Sequence, residues 1–425
     1  MSFRVPNPES RIPMKFAIHT FGCRVNQADS FEIEEGLRAR GAAEAPPDEA
    51  DLVVVNTCTV TGAADQSART FIRRIARLNA SARIVVTGCY ATREPDALAD
   101  LPGVVWLAPN SRKDTLVDDL CGPAAVEAHC GTRLEPGVMG RTACPLRVQT
   151  GCDEPCAFCV IPSTRGPSRS RPMADVLADV GRLAAAGYRE LWLVGVHLGS
   201  YGRDLAPSAS LRELLRALDR APGGVTFRIG SLEPMDCPAE IVALVEGSGR
   251  FAPHFHLPLQ HGADRVLASM RRPYSADFYG ALVRDIRARL PHASIGADVI
   301  VGFPGESEAD AAAGEETVAA LPLSYLHVFP YSDRPGTEAS SRTPKVHPAA
   351  IKERASRMRD IGDRHAARFL ASQLGAVRPG LTIDDGTTVL TDNFLKVKIP
   401  PGLARNTRVS VLIASDSPAL AGRVT

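Results

Sequence analysis

Short apolar runs alternate with amphipathic stretches over the first third of the chain. The runs "KFAIHT", "DLVVVNT", "RIVVTG" and "GVVWLA" are typical of buried strands, and "ADSFEIEEGLRARG" and "ADQSARTFIRRIARLN" are typical of helices. Apolar strands that alternate with helices predict a parallel sheet covered on both faces. We therefore expect an α/β domain over residues 14–125.

The alternation resumes with a longer period over residues 140–335. The candidate strands are "ELWLVGV", "VTFRIGS", "HFHLPLQ", "IGADVIVGF" and "YLHVFPY", and helical stretches such as "DFYGALVRDIRARL" separate them. So many βα units predict a full or partial α/β barrel. Its site would lie at the C-terminal ends of the strands, where glycine-rich and polar segments follow each run.

The pattern changes again near the C-terminus. A helix is predicted over 345–372, and the strict alternation in "FLKVKI" and "TRVSVL" predicts a small antiparallel β-barrel over 373–425. Residues 121–143, rich in Gly, Pro and Ala, are typical of a linker. The expected architecture is thus a parallel-sheet α/β domain, a partial barrel and a small β-barrel.

Composition limits the class of protein. With 425 residues, 44% hydrophobic and 23% charged, the chain is typical of a globular protein of two or three domains. It has no apolar run of membrane-spanning length and no secretory h-region, so we expect no membrane association and a cytoplasmic location. Residues 1–13 are either an extension or a mis-assigned start.

The charge is unevenly distributed. The net charge is +1, but residues 338–425 contain 14 Lys and Arg against 8 Asp and Glu, a net +6. A basic tail fits a module that binds a polyanion, and it equally fits a solvated helix surface. Charge alone leaves both open.

Ten cysteines in a reducing compartment indicate metal ligation or catalysis before disulfides. Cys23, Cys58 and Cys89 each follow the end of a predicted strand by one to three residues. Because ligands of open parallel sheets bind outside the carboxyl ends of the strands, we expect the three thiols to converge. The alternative is three unrelated buried cysteines. No role is predicted for four others, Cys121, Cys130, Cys144 and Cys237.

Three more cysteines lie in the stretch "GCDEPCAFCVIP", at Cys152, Cys156 and Cys159. A structural zinc site takes four ligands, whereas three thiolates on a four-iron cluster leave one iron open. The spacing C-x3-C-x2-C, with an aromatic residue before the last cysteine, is the signature of radical S-adenosylmethionine (SAM) enzymes. A zinc site would need a distant fourth ligand.

Nearly the whole chain from Met14 resembles one family, the radical SAM methylthiotransferases. The resemblance rests on "VQTGCDEPCAFCVIPSTRGPSRSRP", "HLPLQHGADRVLASMRRPYS", "ADVIVGFPGE", the three dispersed cysteines, and "TVLTDNFLKVKI", which resembles a TRAM β-barrel. It implies two [4Fe–4S] clusters, one held by Cys152, Cys156 and Cys159 and an auxiliary one held by Cys23, Cys58 and Cys89. SAM would be both radical source and methyl donor.

The resemblance also implies contacts to SAM, although it identifies no catalytic side chain. The expected SAM contacts are Phe158, Gly195, Ser231, Glu233 and Asp298. Arginines after the cysteine loop and basic residues of the small barrel are expected to meet RNA phosphates; they are Arg165, Arg169, Arg171, Lys396, Lys398, Arg405 and Arg408.

The substrate branch is indicated by "TFGCRVNQADS" and "GSYGRDL". They resemble the branch that modifies threonylcarbamoyladenosine in tRNA, with Arg24 in place of a lysine. The alternatives are isopentenyladenosine in tRNA, a ribosomal-protein aspartate or, more remotely, a non-enzymatic metal- and RNA-binding protein. The implied partners are tRNA, SAM and an electron donor such as flavodoxin or ferredoxin, and we expect a monomer.

Overall fold

The computed structural model of the protein describes residues 14–122, 136–137, 142–415 and 420–424. The described residues form two compact units. The first lies within Met1–Leu134, Thr150–Glu154 and Cys159–Pro167, and the second lies within Glu135–Gln149, Pro155–Phe158 and Ser168–Thr425. Residues 1–13, most of the predicted linker and Cys130 lie outside the described residues. The finer predicted division at 125, 140, 335, 345 and 373 stays a prediction.

The first unit contains a five-stranded parallel sheet in the order β2-β1-β3-β4-β5. Its strands are β1 (Lys15–Thr20), β2 (Ala43–Glu44), β3 (Leu52–Thr57), β4 (Arg83–Gly88) and β5 (Val104–Ala108). The four apolar runs form four of these strands, as predicted. Strand β2 is too short to give a periodic signal.

Both faces of this sheet are buried, which is why its strands read as continuous apolar runs. In β3, Val53 and Val55 pack into the core on one face, while Leu52 and Val54 pack into the core on the other. Helices cover the two faces and the sheet edge; they are α1 (Arg24–Arg38), α2 (Gly62–Leu78), α3 (Cys89–Arg93), α4 (Asp96–Ala99), α5 (Leu116–Cys121) and α6 (Ile161–Arg165).

The second unit contains a partial barrel of parallel strands. Two three-stranded sheets, β10-β9-β6 and β11-β12-β13, are linked by isolated bridges such as that between Ser231 and His256. The strands are β6 (Cys144–Arg147), β9 (Glu190–Val194), β10 (Thr226–Ile229), β11 (His254–His256), β12 (Ser294–Val301) and β13 (Tyr325–Pro330), and the two-residue strands β7 (Gln149–Thr150) and β8 (Arg169–Ser170) precede β9. Five of the six strands in the two three-stranded sheets were predicted. Strand β6, with the sequence "CPLR", is short and contains a proline, so it escaped prediction.

Helices follow the strands of the barrel on its outer side. They are α7 (Met173–Ala185), α8 (Leu211–Arg220), α9 (Ala239–Gly247), α10 (Asp264–Ser269), α11 (Ala276–Arg289), α12 (Glu308–Ala320), α13 (Glu338–Ser341) and α14 (Pro348–Gln373). In the parts of the chain that the structure describes, no helix is long and apolar enough to cross a membrane.

The C-terminal strands close into a small barrel in the order β14-β15-β16-β18-β17. They are β14 (Val377–Ile383), β15 (Thr388–Thr391), β16 (Lys396–Lys398), β17 (Arg408–Ser415) and β18 (Ala421–Val424). The predicted antiparallel pairing is correct except where Lys398 of β16 meets Ala421 of β18 in parallel. Parallel closure lets a five-stranded barrel form, since an odd number of strands cannot alternate direction throughout.

A buried arginine ties this small barrel to the partial barrel within the second unit. Arg228 of β10 is fully buried, and its guanidinium lies 3.1 Å from a carboxylate oxygen of Glu190. It also donates to the backbone carbonyls of Thr391 and Asp392, at 3.2 and 2.8 Å. A buried guanidinium must have its donors satisfied, so these carbonyls fix the β15–β16 turn against the partial barrel.

Candidate functional site

The first cysteine set lies at one edge of the first unit's sheet. Cys23 is the N-cap residue of α1, three residues after β1; Cys58 follows β3 directly; and Cys89 follows β4 as the first residue of α3. Strands β1, β3 and β4 are neighbours in the sheet, so the three thiols leave adjacent strand ends on the same side. The backbone just before Cys23 lies close to Cys58, because a Cβ atom added at Gly22 would be 2.7 Å from the Cys58 sulfur.

Burial and mutual proximity shape the chemistry of these thiols. Burial raises the pKa of the Cys58 thiol to about 12, and the neighbouring Cys23 and Cys89 raise it as well. N–H groups already point at two of the sulfurs: the Val60 amide lies 3.5 Å from Cys58, and the Asn110 side chain lies 3.5 Å from Cys89. Such a thiol becomes a thiolate only when a metal replaces its proton, as in metal–thiolate sites.

A buried polar network holds this edge together. The amide of Asn26 donates to the carbonyl of Phe21, at 2.8 Å, and to that of Thr57, at 2.9 Å, so it clamps the residues just before Cys23 and Cys58. The amide of Asn110 reaches Cys89 and donates to the carbonyl of Thr164 at 2.8 Å. The side chains of Asn26 and Asn110 therefore hydrogen-bond to residues at the ends of all three strands, β1, β3 and β4.

Three buried charged side chains lie next to this network. The Asp29 carboxylate accepts from Lys113 at 2.8 Å and from Arg165 at 2.9 Å, and the side chains of the three residues are 0%, 4% and 3% exposed. Burial lowers the pKa of Lys113. Burial would also lower the pKa of Arg165, but the charges of Asp29, Cys89 and Cys23 outweigh it and raise that pKa. The group carries one net positive charge close to the thiols.

Arg165, a predicted RNA contact, is buried inside the first unit. It was expected to meet an RNA phosphate, but its guanidinium is buried and bonded to Asp29, to Asn26 and, at 3.2 Å, to Thr150. Withdrawing it would leave Asp29 buried with one cation fewer, which is costly. We therefore assign Arg165 to the internal network of the first unit.

The loop with the second cysteine set is shaped by its neighbours. Gly151 has φ of +71°, and a Cβ atom there would lie 1.9 Å from the carbonyl oxygen of Pro167, so only glycine fits. The Cys152 amide donates to Gly166 at 3.1 Å. Backbone amides of Glu154 and Ile161 lie 3.4 Å from the sulfurs of Cys152 and Cys159. All three cysteines of the loop are partly exposed.

Cys156 and Phe158 belong to the second unit. Between them, the Ala157 amide donates to the Met270 carbonyl at 3.1 Å, and the Ala157 carbonyl accepts from the Ala339 amide at 2.8 Å. These two hydrogen bonds fix the backbone of the loop next to Cys156. Phe158 packs against a small core that includes Phe303. Arg272, which is buried, donates to the Cys156 sulfur at 3.1 Å.

The predicted SAM contacts lie at or after strands of the partial barrel. Gly195 follows β9, and a Cβ atom there would lie 2.8 Å from Leu198. Ser231, after β10, is exposed, and Glu233 is paired with Arg272. Asp298 lies in β12. The structure thus brings Glu233 next to the Cys156 loop through Arg272, while SAM contact by any of these residues stays a prediction.

Asp298 is held by two histidines. His256 and His327 lie 3.1 and 3.0 Å from the same carboxylate oxygen. Burial alone would raise the pKa of Asp298, but hydrogen bonds from both histidines outweigh it and bring the pKa to about 2. Among the described residues, these three are the only His, Cys, Asp or Glu trio with ligand atoms all within 4.8 Å. Cys23, Cys58 and Cys89 do not meet that single-ion spacing, and thiolates bound to different irons of a cluster lie farther apart.

His254, which is buried, shares a hydroxyl with His256. The Tyr325 hydroxyl lies 2.9 Å from His254 and 3.1 Å from His256. Both histidines therefore face the same side of β11, and each uses one ring nitrogen on the Tyr325 hydroxyl.

The basic residues that are predicted to contact RNA differ in their exposure and in the partners they already have. Arg169 is exposed, and Arg171 forms an ion pair with Asp179 at 2.6 Å. In the small barrel, Lys396 and Lys398 are exposed on one face of β16, and Lys398 donates to Thr388 at 2.9 Å.

The other two basic residues of the small barrel are engaged with backbone. Arg405 donates to the carbonyls of Asp384 and Gly137, and Arg408 donates to those of Arg189 and Gly224. Burial lowers the pKa of Arg408. Each of these two guanidinium groups is held by two backbone carbonyls, whereas Lys396 and Lys398 are exposed on one strand face, so the two lysines are the better candidates for phosphate contact.

The residues present fit iron–sulfur clusters. Each cysteine set supplies three thiols, and N–H donors lie near five of the six sulfurs, as they do around cluster thiolates. A cluster with three thiolates is anionic, and the net positive charge of Asp29, Lys113 and Arg165 would offset it. The chemistry of the donor sets therefore agrees with what the resemblance implied.

Several of these residues were missed by sequence reasoning. Asn26 and Asp29 are three apart in "CRVNQAD" on α1, so they lie on one helix face directly after Cys23; that spacing could have identified them. Asn110, Lys113 and Arg272 lie far in sequence from the cysteines they serve, and no local pattern marks them.

Comparison with known proteins agrees with this organisation. A family described as "Uncharacterized protein family UPF0004" matches residues 15–108, which contain Cys23, Cys58 and Cys89. The "Radical SAM superfamily" matches residues 146–314, which contain Cys152, Cys156 and Cys159. Membership of that superfamily implies a [4Fe–4S] cluster and SAM.

Curated relatives match over nearly the full length. The threonylcarbamoyladenosine tRNA methylthiotransferase MtaB of Aquifex aeolicus is 35% identical, with 91% of this chain and 96% of the relative covered. That of Bacillus subtilis is 34% identical, with 90% and 89% covered. The tRNA-2-methylthio-N(6)-dimethylallyladenosine synthase of Anaeromyxobacter dehalogenans is 35% identical, with 87% and 80% covered.

A solved structure supports the fold. The radical SAM methyltransferase TsrM from Kitasatospora setae superposes with a TM-score of 0.55 at 16% identity, covering 77% of this chain and 74% of TsrM. At that identity the likeness concerns the fold alone. From the two family matches and the full-length relatives, the chain belongs to the radical SAM methylthiotransferase family, in its MtaB-type branch.

Proposed function

We propose that the protein transfers a methylthio group to C2 of N6-threonylcarbamoyladenosine, next to the anticodon of tRNA. The observation that carries the proposal is the presence of two separate three-cysteine sets in a chain that matches MtaB relatives over about nine tenths of its length. A radical SAM enzyme that only cleaves SAM needs one set. A second set, at the strand ends of the five-stranded parallel sheet, supports a second cluster that handles sulfur.

Cys152, Cys156 and Cys159 would hold the cluster that binds SAM. When bound, this cluster and SAM supply the 5′-deoxyadenosyl radical that removes hydrogen from an unactivated carbon. The chain's own part is to position the loop. Ala157 is anchored by Met270 and Ala339, and the apolar packing of Phe158 helps to keep water from a reactive site.

Cys23, Cys58 and Cys89 would hold an auxiliary cluster with one open iron. That cluster would supply the place where sulfur is carried and methylated by a second SAM. Around it, Asn26 and Asn110 fix the loops, while Lys113 and Arg165 place positive charge beside the thiolates. Iron counting tests whether this second cluster is present.

The tRNA would be bound in part by the basic C-terminal region. Residues 338–425 carry a net +6, and Lys396 and Lys398 present two ammonium groups on one exposed strand face. Lysines in this arrangement suit phosphate contacts that position a polyanion without reading its sequence. The electron needed to begin each turnover would come from a small donor such as flavodoxin or ferredoxin, and we expect the enzyme to act as a monomer in the cytoplasm.

The test is to count iron and sulfide in protein reconstituted without oxygen. We expect about eight irons per chain in the wild type and about four in each triple variant, Cys23→Ala/Cys58→Ala/Cys89→Ala or Cys152→Ala/Cys156→Ala/Cys159→Ala, because each set would hold one four-iron cluster. Cys121→Ala is the control and should leave the count unchanged. About four irons in the wild type, lost entirely in the second variant, would refute the second cluster.

The substrate is tested separately by mass spectrometry of nucleosides from tRNA incubated with enzyme, SAM and reductant. A gain of methylthio on threonylcarbamoyladenosine supports the proposal. Methylthio on isopentenyladenosine instead would favour the second candidate, which is kept because relatives named for dimethylallyladenosine are 33% to 35% identical to this chain. Zinc in place of iron, with no SAM cleavage, would favour a non-enzymatic binding protein.

A further inference from the structure

Arg272 occupies an unusual position for a charged side chain. Its side chain is only 2% exposed, and it lies in the segment between α10 and α11 of the second unit. Isolated buried guanidinium groups are very unfavourable, so this one must be satisfied by specific partners. It has three, one for each nitrogen.

The three partners come from three different parts of the second unit. Nη1 donates to the Cys156 sulfur at 3.1 Å, Nη2 pairs with the Glu233 carboxylate, and Nε donates to the Tyr274 hydroxyl at 3.1 Å. That hydroxyl in turn donates to the Pro258 carbonyl at 2.9 Å. Tyr274 and Glu233 thus hold Nε and Nη2 of the guanidinium, and Nη1 points at the Cys156 sulfur.

We propose that Arg272 is the positioning residue of the SAM-binding cluster: it fixes the Cys156 thiolate and, through a charged N–H···S hydrogen bond, makes that cluster easier to reduce. The reason is electrostatic. One-electron reduction adds negative charge to the cluster and its thiolates, and a positive N–H donor stabilises the more negative state. Hydrogen bonds to the sulfurs are among the features that set the potential of an iron–sulfur cluster.

The fork geometry makes the assignment specific to arginine. A lysine would keep the charge, but a single ammonium cannot reproduce three divergent N–H directions toward Cys156, Glu233 and Tyr274. The neighbouring Arg271 offers a matched comparison. Its side chain is 52% exposed, and it pairs with Glu338 away from the sulfur. Its φ of +58° is tolerated by asparagine, so Arg271→Asn removes the charge with little backbone strain.

The measurement is a redox titration of the reduced cluster by electron paramagnetic resonance, with iron counted on the same samples. It uses the full chain carrying Cys23→Ala/Cys58→Ala/Cys89→Ala, so that the signal comes from the SAM-binding set. On this background we compare Arg272→Met, Arg272→Lys and Arg271→Asn with the unchanged chain. Absence of iron from the background chain would refute the cluster assignment itself, and not the role of Arg272.

With about four irons bound, we expect Arg272→Met to lower the ratio of reduced to oxidised cluster at a given potential about tenfold, which is ~59 mV for a one-electron couple. Arg272→Lys should shift the potential in the same direction but less, and Arg271→Asn should not shift it. If Arg272→Met fails to fold or to bind iron, Arg272→Lys decides. A potential for Arg272→Lys equal to that of the unchanged chain, or a shift no larger than that of Arg271→Asn, overturns the proposal.

Discussion

Asp29 lies between two buried cations, and its replacement by asparagine tests the network next to the first cysteine set. Asp29 is fully buried and accepts from Lys113 at 2.8 Å and from Arg165 at 2.9 Å. Asp29→Asn keeps the size but leaves two positive charges without their counter-ion. Breaking a buried pair by removing one partner costs about 3 to 5 kcal/mol of folding free energy.

The assay can be confined to the first unit because each unit has one tryptophan. Trp106 lies in β5 of the first unit and Trp192 in β9 of the second, and the chain has two tryptophans in all. In a Trp192→Phe background, the fluorescence of Trp106 follows urea unfolding of the first unit alone. With an m-value of about 2 kcal/mol/M, a loss of about 4 kcal/mol lowers the midpoint by about 2 M. Iron-free, reduced protein keeps cluster binding out of the comparison.

The control is Asp119→Asn, which breaks the more exposed pair with Arg112 in the same unit. There the side chains are 24% and 56% exposed, so the cost should stay below about 1 kcal/mol. If Asp29→Asn lowers the urea midpoint no more than Asp119→Asn does, the three charges do not form a stabilising network and the reasoning fails.

Three further predictions concern pH, tRNA and packing. Burial holds the pKa of His261 at about 4, below its usual 6.5, so this neutral histidine stabilises the fold above pH 6.5, and the contribution is lost as the pH falls toward 4. His261→Asn should therefore reduce the change in the free energy of unfolding between pH 6.5 and 4, measured by urea titration, by about 3 kcal/mol. Replacing Lys396 and Lys398 by alanine should weaken tRNA binding and reduce its log–log salt slope by about 1 to 2, and an unchanged slope would mean that neither touches a phosphate. Gly22→Ala should lower bound iron from about eight to about four, since its new Cβ atom would press on the Cys58 side chain, whereas Gly41→Ala, also at positive φ but with nothing within 4 Å, should keep all eight.

Much of the fold was readable from the sequence because its signals are local. The apolar runs of β1, β3, β4 and β5 identified the first sheet, and their placement predicted that Cys23, Cys58 and Cys89 leave strand ends. The alternation in "FLKVKI" and "TRVSVL" identified the small barrel. The sequence did not predict β2 and β6, whose local signals are weak, or the parallel pair that closes the small barrel.

The sequence by itself determined the chemistry of this protein: two sets of three thiols, a basic C-terminal region and strand ends on which the first set converges. Those properties follow from residue type and spacing. The tertiary structure decided which charged groups serve the sites. Arg165 looked like a phosphate contact because it follows the cysteine loop, but it is buried against Asp29; Arg272, more than a hundred residues after Cys156, donates to its sulfur. A charged group's role depends on burial and on its partners, and both arise from contacts between residues distant in sequence.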